Sequence, residues 1–222
     1  MRVVAVHRYP VKSLRGESLE RADVLSRGLD GDRLWALREP DGKLGSGKST
    51  RRFRRMAGLL ELAAAYDGPV AAGPVVTLPD GRSWRGPHAD LDAALTAYVG
   101  RPVALAREAE VAHHDEGPLH LVTTAALDRL GADGPVLRAN LVVDAPGLVP
   151  FAEDGWVGRE LVVGAVVLRV REPMPRCVMV GAEVLHRATR LNDGRAGLVV
   201  DVVAPGTVAV GDVVRLLGPG GR

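Results

Sequence analysis

The amino-acid sequence predicts a mainly β protein of the barrel type, with only a few short helices between the strands. Valine dominates the apolar residues, and its β-branched side chain favours strands. The chain is 46% apolar but only 4% aromatic, so its core must be aliphatic. Short apolar segments alternate with turn signals and few helices lie between them, which is typical of a barrel and not of a doubly wound sheet.

The first half of the chain is predicted to consist of strands joined by tight turns. Strands at Val3–Tyr9 and Leu19–Leu25 flank a turn-rich segment, and a short strand at Leu34–Leu37 follows. Strands at Val75–Leu78 and Arg82–Trp84 flank Pro79-Asp80-Gly81, which indicates a hairpin.

Three helices of real length are predicted, near residues 52–63, 90–99 and 123–130. The apolar residues of the first are spaced to lie on one face. Asp90 can cap the second, which Gly100 ends, and Thr123 opens the third.

A polar stretch at residues 111–118 separates two predicted domains, residues 1–110 and residues 111–222. The second domain is predicted to contain strands at 119–122 and 136–144 and a β-rich stretch at 161–171, which Val178–Leu185 can continue. The end of the chain is predicted to be three strands, with turns at Pro205-Gly206 and Gly211-Asp212 between them.

Charge and cysteine content exclude several classes of protein. The formal charge is only +2 and the charges are interspersed, which argues against a nucleic-acid partner. The single cysteine rules out an internal disulfide. No apolar run reaches the roughly 18 residues that span a bilayer, so no membrane contact is expected. We therefore expect a soluble, cytoplasmic protein.

Residues Gly42–Ser49 match the phosphate-binding loop pattern GxxxxGKS. That loop must directly follow a buried parallel strand, but Arg38-Glu39-Pro40-Asp41 intervenes here. The chain also lacks the alternating strand and helix pattern of such folds. A nucleotide-binding protein is therefore the least favoured functional hypothesis.

The segment Arg171-Glu-Pro-Met-Pro-Arg-Cys177 is the strongest indication of a chemical site. Two prolines cannot donate ladder hydrogen bonds, which predicts an irregular extended loop. Arg176 beside the thiol favours the thiolate, the form that binds metals. A buried inert cysteine is the alternative. If Cys177 binds a metal, one thiolate is too few and a cofactor must supply the other ligands.

Other polar residues suit an anionic cofactor, because they stand where strands or helices begin or end. They are Lys12 and Ser13 after the first strand, Arg33 at the start of another, Thr123 at a helix start, and Arg138 with Asn140.

Six segments follow one another along the chain: Arg8-Tyr-Pro-Val-Lys-Ser13, Gly28-Leu-Asp-Gly-Asp-Arg33, Arg138-Ala-Asn-Leu-Val-Val-Asp144, Phe151-Ala-Glu-Asp-Gly-Trp156, Pro175-Arg-Cys177 and the closing Gly206–Asp212. In this order they resemble the MOSC family, named for the C-terminal domain of molybdenum cofactor sulfurase, with its N-terminal β-barrel domain. The resemblance extends over residues 2–217. Within the family, the chain is similar to the mitochondrial amidoxime-reducing components.

The resemblance implies a pyruvate-kinase-like β-barrel, preceded by a smaller β-barrel-like domain, that binds the molybdenum cofactor, molybdopterin-bound molybdenum. It implies an oxidoreductase that reduces small N-hydroxylated or related substrates with electrons from a separate donor protein. Cys177 would be the catalytic residue and the metal ligand. The cofactor-binding residues would be Lys12, Ser13, Arg33, Thr123, Arg138, Asn140 and Arg176.

We expect these residues to share one partly open cleft. A non-catalytic carrier of the cofactor or of mobile sulfur on Cys177 is the alternative function.

Overall fold

The computed structural model describes residues 1–110 and 112–218; Val111, at which the predicted second domain begins, lies outside this range, as do residues 219–222. Among the described residues strand exceeds helix, 38% against 22%, as the sequence predicts. The strands are β1 (Arg2–Arg8), β2 (Glu17–Leu19), β3 (Arg21–Leu25), β4 (Gly28–Leu29), β5 (Trp35–Arg38), β6 (Leu44–Ser46), β7 (Phe53–Arg55), β8 (Ala63–Ala65), β9 (Val75–Thr77), β10 (Ser83–Arg85), β11 (Ala104–Arg107), β12 (Leu119–Thr123), β13 (Leu141–Asp144), β14 (Glu160–Val163), β15 (Val166–Pro175), β16 (Arg195–Ala204), β17 (Gly206–Ala209) and β18 (Val214–Leu216). The α-helices are α1 (Ala89–Val99), α2 (Thr124–Leu130), α3 (Gly134–Leu137) and α4 (Ala182–Asn192).

The chain forms two compact units. Unit 1 consists of Met1–His7, Ser18–Asp30 and Asp115–Arg222, and unit 2 consists of Arg8–Glu17 and Gly31–His114. The first 30 residues therefore contribute to both units. The domain boundary near residue 110 stays a prediction. In the described part of the chain, no helix is both long and apolar enough to cross a membrane.

Unit 1 is built on a large sheet with the strand order β18-β14-β15-β16-β12-β13-β1-β2. β1 pairs antiparallel with β13, whereas β12 and β13 are parallel neighbours. A smaller sheet has the order β17-β3-β4. The core between these strands is aliphatic, as expected, and includes the fully buried Leu121, Leu161 and Leu198.

Unit 2 contains two small sheets, with the strand orders β11-β5-β6-β7 and β10-β9-β8. The predicted hairpin is confirmed, because β9 and β10 pair antiparallel with Trp84 opposite Val76. Helix α1 is confirmed too, and Leu91 and Leu95 are its buried residues. Its cap is His88 and not Asp90: the His88 Nδ1 accepts a hydrogen bond from the Asp90 amide at 3.2 Å.

The predicted helix at 52–63 is wrong. Residues Phe53–Arg55 form strand β7, which pairs in parallel with β6, and Leu59–Glu61 form one turn of 3₁₀ helix. Phe53 packs in a small apolar cluster with Ala36 and Leu44, so burial on the sheet overrides the helical spacing. The Gly42–Ser49 segment thus contains strand β6 and leads to another strand, so the matching residues do not form a strand-to-helix phosphate loop.

The predictions around Cys177 need two corrections. The segment with the two prolines is not a loop: β15 continues to Pro175 and pairs with β16, with register shifts that place the prolines at bulges. Val178–Leu185 does not continue the strand, because Val178–Val180 is a 3₁₀ turn and α4 follows.

The strand predicted at 136–144 begins only at Leu141, since α3 precedes it. The Asp133 carboxylate accepts a hydrogen bond from the Val136 amide at 2.8 Å, which caps this short helix. Helix α2 lies where it was predicted, with Thr123 as its cap and Gly131 at its end. Three strands form the end of the chain as predicted, but β17 pairs with β3 and not with β16.

Candidate functional site

Cys177 lies in unit 1, between the end of β15 and the 3₁₀ turn that precedes α4. Its thiol is free and half-buried. The backbone of Cys177 is extended, and its carbonyl accepts a hydrogen bond from the Val180 amide at 3.2 Å. The only cysteine of the chain is therefore partly accessible and not an inert core residue.

Arg176 anchors the backbone next to Cys177. Its Nε donates to the Ala196 carbonyl at 2.9 Å and its Nη1 donates to the Leu137 carbonyl at 2.9 Å. Its Nη2 contacts Nε2 of the buried His120. A guanidinium cannot accept a hydrogen bond, so this imidazole nitrogen must be the acceptor and carries no proton. These donors bind main-chain and imidazole acceptors, and the expectation that Arg176 favours the thiolate of Cys177 stays a prediction.

Arg138 and Asn140 flank the buried Ala139 between α3 and β13. Arg138 has a left-handed backbone (φ 54°), which is uncommon outside glycine, and it is half-buried. The Asn140 amide side chain accepts from the His120 amide and donates to the His7 carbonyl, both at 3.1 Å. Asn140 is fully buried and joins β12, β13 and β1.

Thr123 caps α2 and contacts an acid that the sequence analysis did not select. Its hydroxyl accepts from the Ala126 amide at 3.2 Å and donates to Oε1 of Glu153 at 3.0 Å. Glu153 is fully buried, and within the described residues its Oε2 has no hydrogen-bond partner. Burial raises the pKa of Glu153, so this carboxyl group retains a proton to a higher pH than usual. The signal for it was its place in the Phe151–Trp156 motif.

Lys12 and Ser13 lie in unit 2 and are both buried. The Lys12 Nζ donates to the His113 carbonyl at 3.1 Å and lies 4.5 Å from the centroid of the Phe53 ring. Ser13 has a left-handed backbone (φ 66°), and its hydroxyl donates to the Gly45 carbonyl at 3.4 Å.

Arg33 is held by a buried carboxylate in unit 2. Its guanidinium pairs with Asp32 and lies 4.9 Å from the centroid of the Tyr9 ring. Asp32 is fully buried, accepts the Tyr9 amide at 2.8 Å, and lies 3.8 Å from Nε2 of His114. Burial alone would raise the pKa of Asp32, but Arg33, His114 and the Tyr9 amide outweigh it and lower the pKa to about 2.

The predicted residues fall into two groups, one in each unit. In unit 1, His120 connects Arg176 with Asn140, and Arg176 contacts the carbonyl next to Arg138. In unit 2, backbone hydrogen bonds join the two loops: the Arg33 amide donates to the Tyr9 carbonyl and the Lys12 amide to the Trp35 carbonyl. The expectation that both groups share one cleft stays a prediction.

Comparison with protein families identifies two consecutive domains. The model of the MOSC N-terminal beta barrel domain matches residues 1–73, and that of the MOSC domain matches residues 102–215. No curated protein gives a significant match to the chain.

Among solved structures, the YuaD protein from Bacillus subtilis is similar, with a TM-score of 0.50 at 14% identity, over 97% of this chain and 94% of that one. YiiM from Escherichia coli gives a TM-score of 0.46 at 12% identity, over 98% of this chain and 70% of that one. At such identity, the likeness to YuaD supports the fold alone.

Proposed function

Because the chain belongs to the MOSC family, we propose that it is a molybdenum-cofactor-dependent oxidoreductase that reduces small N-hydroxylated or related substrates. A separate protein supplies the electrons. The observation that carries the proposal is the state of Cys177: a free, half-buried thiol at the end of a long strand, next to an anchored arginine. A thiolate is a soft ligand that suits a metal of this kind.

The residues present fit a cofactor that carries a phosphate. Arg138 and Arg33 are half-buried cations on left-handed backbone, and Lys12 is a buried one, so three cations stand at loop positions that the sequence analysis selected. Phosphate binds best to such N–H donors, and a guanidinium can bind it through two of them. When bound, the cofactor supplies the redox chemistry, and the protein supplies the thiolate, the positive charge and the exclusion of water.

The proposed cofactor-binding residues then divide by role. We assign direct contact with the pterin or its phosphate to Lys12, Ser13, Arg33 and Arg138. Thr123, Asn140 and Arg176 form hydrogen bonds with other protein groups. In this proposal they therefore also position the cofactor-binding loops. The Arg176 contacts hold the backbone next to Cys177 in place.

The test is metal analysis of the chain and of two variants, each produced in a host that makes the cofactor. Cys177→Ser should abolish reduction of an N-hydroxylated substrate, because a hydroxyl is a poor soft ligand, and should leave the unfolding free energy nearly unchanged. Arg138→Ala should lower the molybdenum content while the remaining loaded fraction keeps its turnover. Exposed Arg21→Ala in strand β3 is the control and should alter neither.

Molybdenum-loaded Cys177→Ser with full turnover would contradict the proposal. A chain that binds no molybdenum but accumulates a persulfide on Cys177 would instead establish the carrier of mobile sulfur. A chain that binds the cofactor without reducing any substrate would establish the cofactor carrier.

A further inference from the structure

Arg176, the residue before Cys177, is held by groups from three elements of unit 1. Its Nε and Nη2 donate to the Ala196 carbonyl in β16, and its Nη1 donates to the Leu137 carbonyl at the end of α3. Its Nη2 also donates to Nε2 of His120 in β12. Of these three acceptors, His120 alone is a side chain, so its contribution can be removed without any change to the main chain.

The backbone of His120 is fixed by two neighbouring strands. The Asn140 amide donates to the His120 carbonyl at 2.8 Å, and the Asn140 Oδ1 accepts from the His120 amide at 3.1 Å. In the pairing of β12 with β16, His120 lies opposite Val199. The side chain of His120 is 2% exposed. The position from which its ring contacts Arg176 is therefore set by the fold of unit 1.

A β-bulge interrupts β16 opposite the two prolines that precede Cys177. Between the residue pairs that flank the bulge, β15 has only Met174, whereas β16 has Ala196 and Gly197. Bulges are frequent beside active sites, where they change the direction of the groups that the strand carries. This bulge contains Ala196, whose carbonyl accepts two donors of Arg176.

Gly197, the second residue of the bulge, leaves room for the His120 ring. Its φ is 70°, in the left-handed region that favours glycine. A Cβ atom at this position would lie 2.6 Å from Nε2 of His120 and 2.5 Å from the Leu121 carbonyl oxygen. Any side chain at position 197 would therefore displace the nitrogen that binds Arg176.

We propose that His120 and Gly197 are positioning residues for Cys177. The imidazole nitrogen accepts from Arg176, and Arg176 thereby holds the segment that carries the thiol. The role requires an acceptor, because an apolar side chain of similar size fills the same space without binding the guanidinium. The inference deepens the proposed function, on which it rests for the role of Cys177.

The test is the rate at which iodoacetamide alkylates the cofactor-free chain, measured by mass spectrometry. Cys177 is the only cysteine, so the rate reports this thiol alone. His120→Leu has no acceptor and should speed alkylation about tenfold, because the loss of one charged hydrogen bond raises the open population of the segment by about that factor. His120→Gln keeps an acceptor, its amide oxygen, and should react at nearly the rate of the unchanged chain.

Two controls separate this role from a general loss of stability. Val163→Ala removes buried methyl groups from the core of unit 1 and should lower the unfolding free energy without changing the alkylation rate. Gly197→Ala should speed alkylation as His120→Leu does. Gly158→Ala should not, since Gly158 also has a left-handed φ, 80°, but a Cβ there would meet no atom within 4 Å. In urea-unfolded protein all variants should react at the same rate.

Nitrogen NMR of the imidazole supplies a readout that packing alone would not produce. The His120 ring, identified by the loss of its signals in His120→Gln, should carry its proton on Nδ1 and leave Nε2 unprotonated. A proton on Nε2 would overturn the proposal, as would equal alkylation rates in His120→Leu and His120→Gln. If His120→Leu does not fold, the NMR result and the comparison of Gly197→Ala with Gly158→Ala decide.

The cofactor-loaded chain tests the connection with turnover. His120→Leu should lower kcat for the N-hydroxylated substrate and leave KM unchanged, because the substitution acts on the position of Cys177 and not on substrate binding. Full turnover of the loaded His120→Leu chain would overturn the inference while the proposed function stands. A chain that binds no molybdenum would contradict the proposed function, and the alkylation rates would still decide whether His120 positions the thiol.

Discussion

Two buried carboxyl groups show how the surroundings of single residues set their charge. Asp32 faces Arg33, His114 and the Tyr9 amide, which outweigh burial and keep it ionised. Burial is the main influence on Glu153 and raises its pKa, and the hydrogen bond from the Thr123 hydroxyl only partly opposes this rise. Asp32 therefore supplies a fixed negative charge that holds Arg33, whereas Glu153 is a group that can hold a proton.

Asp32→Asn should lower the unfolding free energy at pH 7 by about 2 to 3 kcal/mol, because it leaves Arg33 without its buried partner. The folded-state pKa of Asp32, about 2, lies below its ordinary value of 3.8. Its contribution is thus fully present above about pH 4 and is lost as the pH falls toward 2. Urea unfolding at pH 7, 5 and 3 should show the difference between the chain and the variant shrinking with acidity.

The exposed pair of Asp80 and Arg82 supplies the control, since a surface ion pair contributes less than about 1 kcal/mol. Asp80→Asn should change stability little at any of these pH values. An Asp32→Asn effect of equal size at pH 3 and pH 7 would show that the carboxylate charge is not what stabilises the fold.

The sequence indicated the site residues by type and place, but not their partners. Lys12, Arg33 and Arg138 could be selected because cations stand at strand and helix ends. The bonds of Asn140 could not be predicted, because its side chain joins His7, 133 positions away along the chain. Glu153 lies in the Phe151–Trp156 motif, but neither it nor His113 was selected, since burial creates their chemistry and the sequence does not show burial.

At the scale of elements, the helices whose ends are marked by a capping residue or a glycine were predicted correctly. Apolar spacing alone predicted a helix where the chain forms a strand. Gly100 and Gly131, both left-handed, end α1 and α2 as expected. The segment 52–63 has helical spacing without such signals, and pairing of β7 with β6 decides its structure. Helix α4 was missed because the valines before it favoured a strand, while its amphipathic residues begin only at Ala182.

Thr123→Val should lower the unfolding free energy by about 1 to 2 kcal/mol, because it removes the cap of α2 and the hydroxyl that Glu153 accepts. Thr123→Ser keeps both hydrogen bonds and should stay within about 0.5 kcal/mol of the unchanged chain. Denaturant unfolding of the cofactor-free protein measures both. If Thr123→Val is as stable as Thr123→Ser, Thr123 acts only on a ligand and not on the helix.

At the scale of the whole molecule, unit 1 is assembled from three separate parts of the sequence. β1 covers the edge of β13, and β3 pairs with β17 near the end of the chain. Val3, Val6, Val24 and Leu29 are at most 1% exposed in the same core as Leu161 and Leu198. The MOSC domain of residues 102–215 therefore obtains part of its core from the first 30 residues.

A fragment of residues 111–222, the predicted second domain, should not fold alone. Burying one Val or Leu side chain contributes about 1.5 to 3 kcal/mol, so losing four of them costs about 6 to 12 kcal/mol, as much as the whole stability of a typical domain. Joining residues 1–30 to residues 115–222 through a short Gly/Ser linker should restore cooperative unfolding. A short linker is enough because the backbones at Gly28 and Pro118 are already in contact: a Cβ atom added to Gly28 would lie 2.2 Å from the Pro118 carbonyl oxygen. Circular dichroism and urea unfolding compare the two chains. A cooperative transition in the 111–222 fragment alone would contradict this prediction, because it would show that the core is stable without the N-terminal strands.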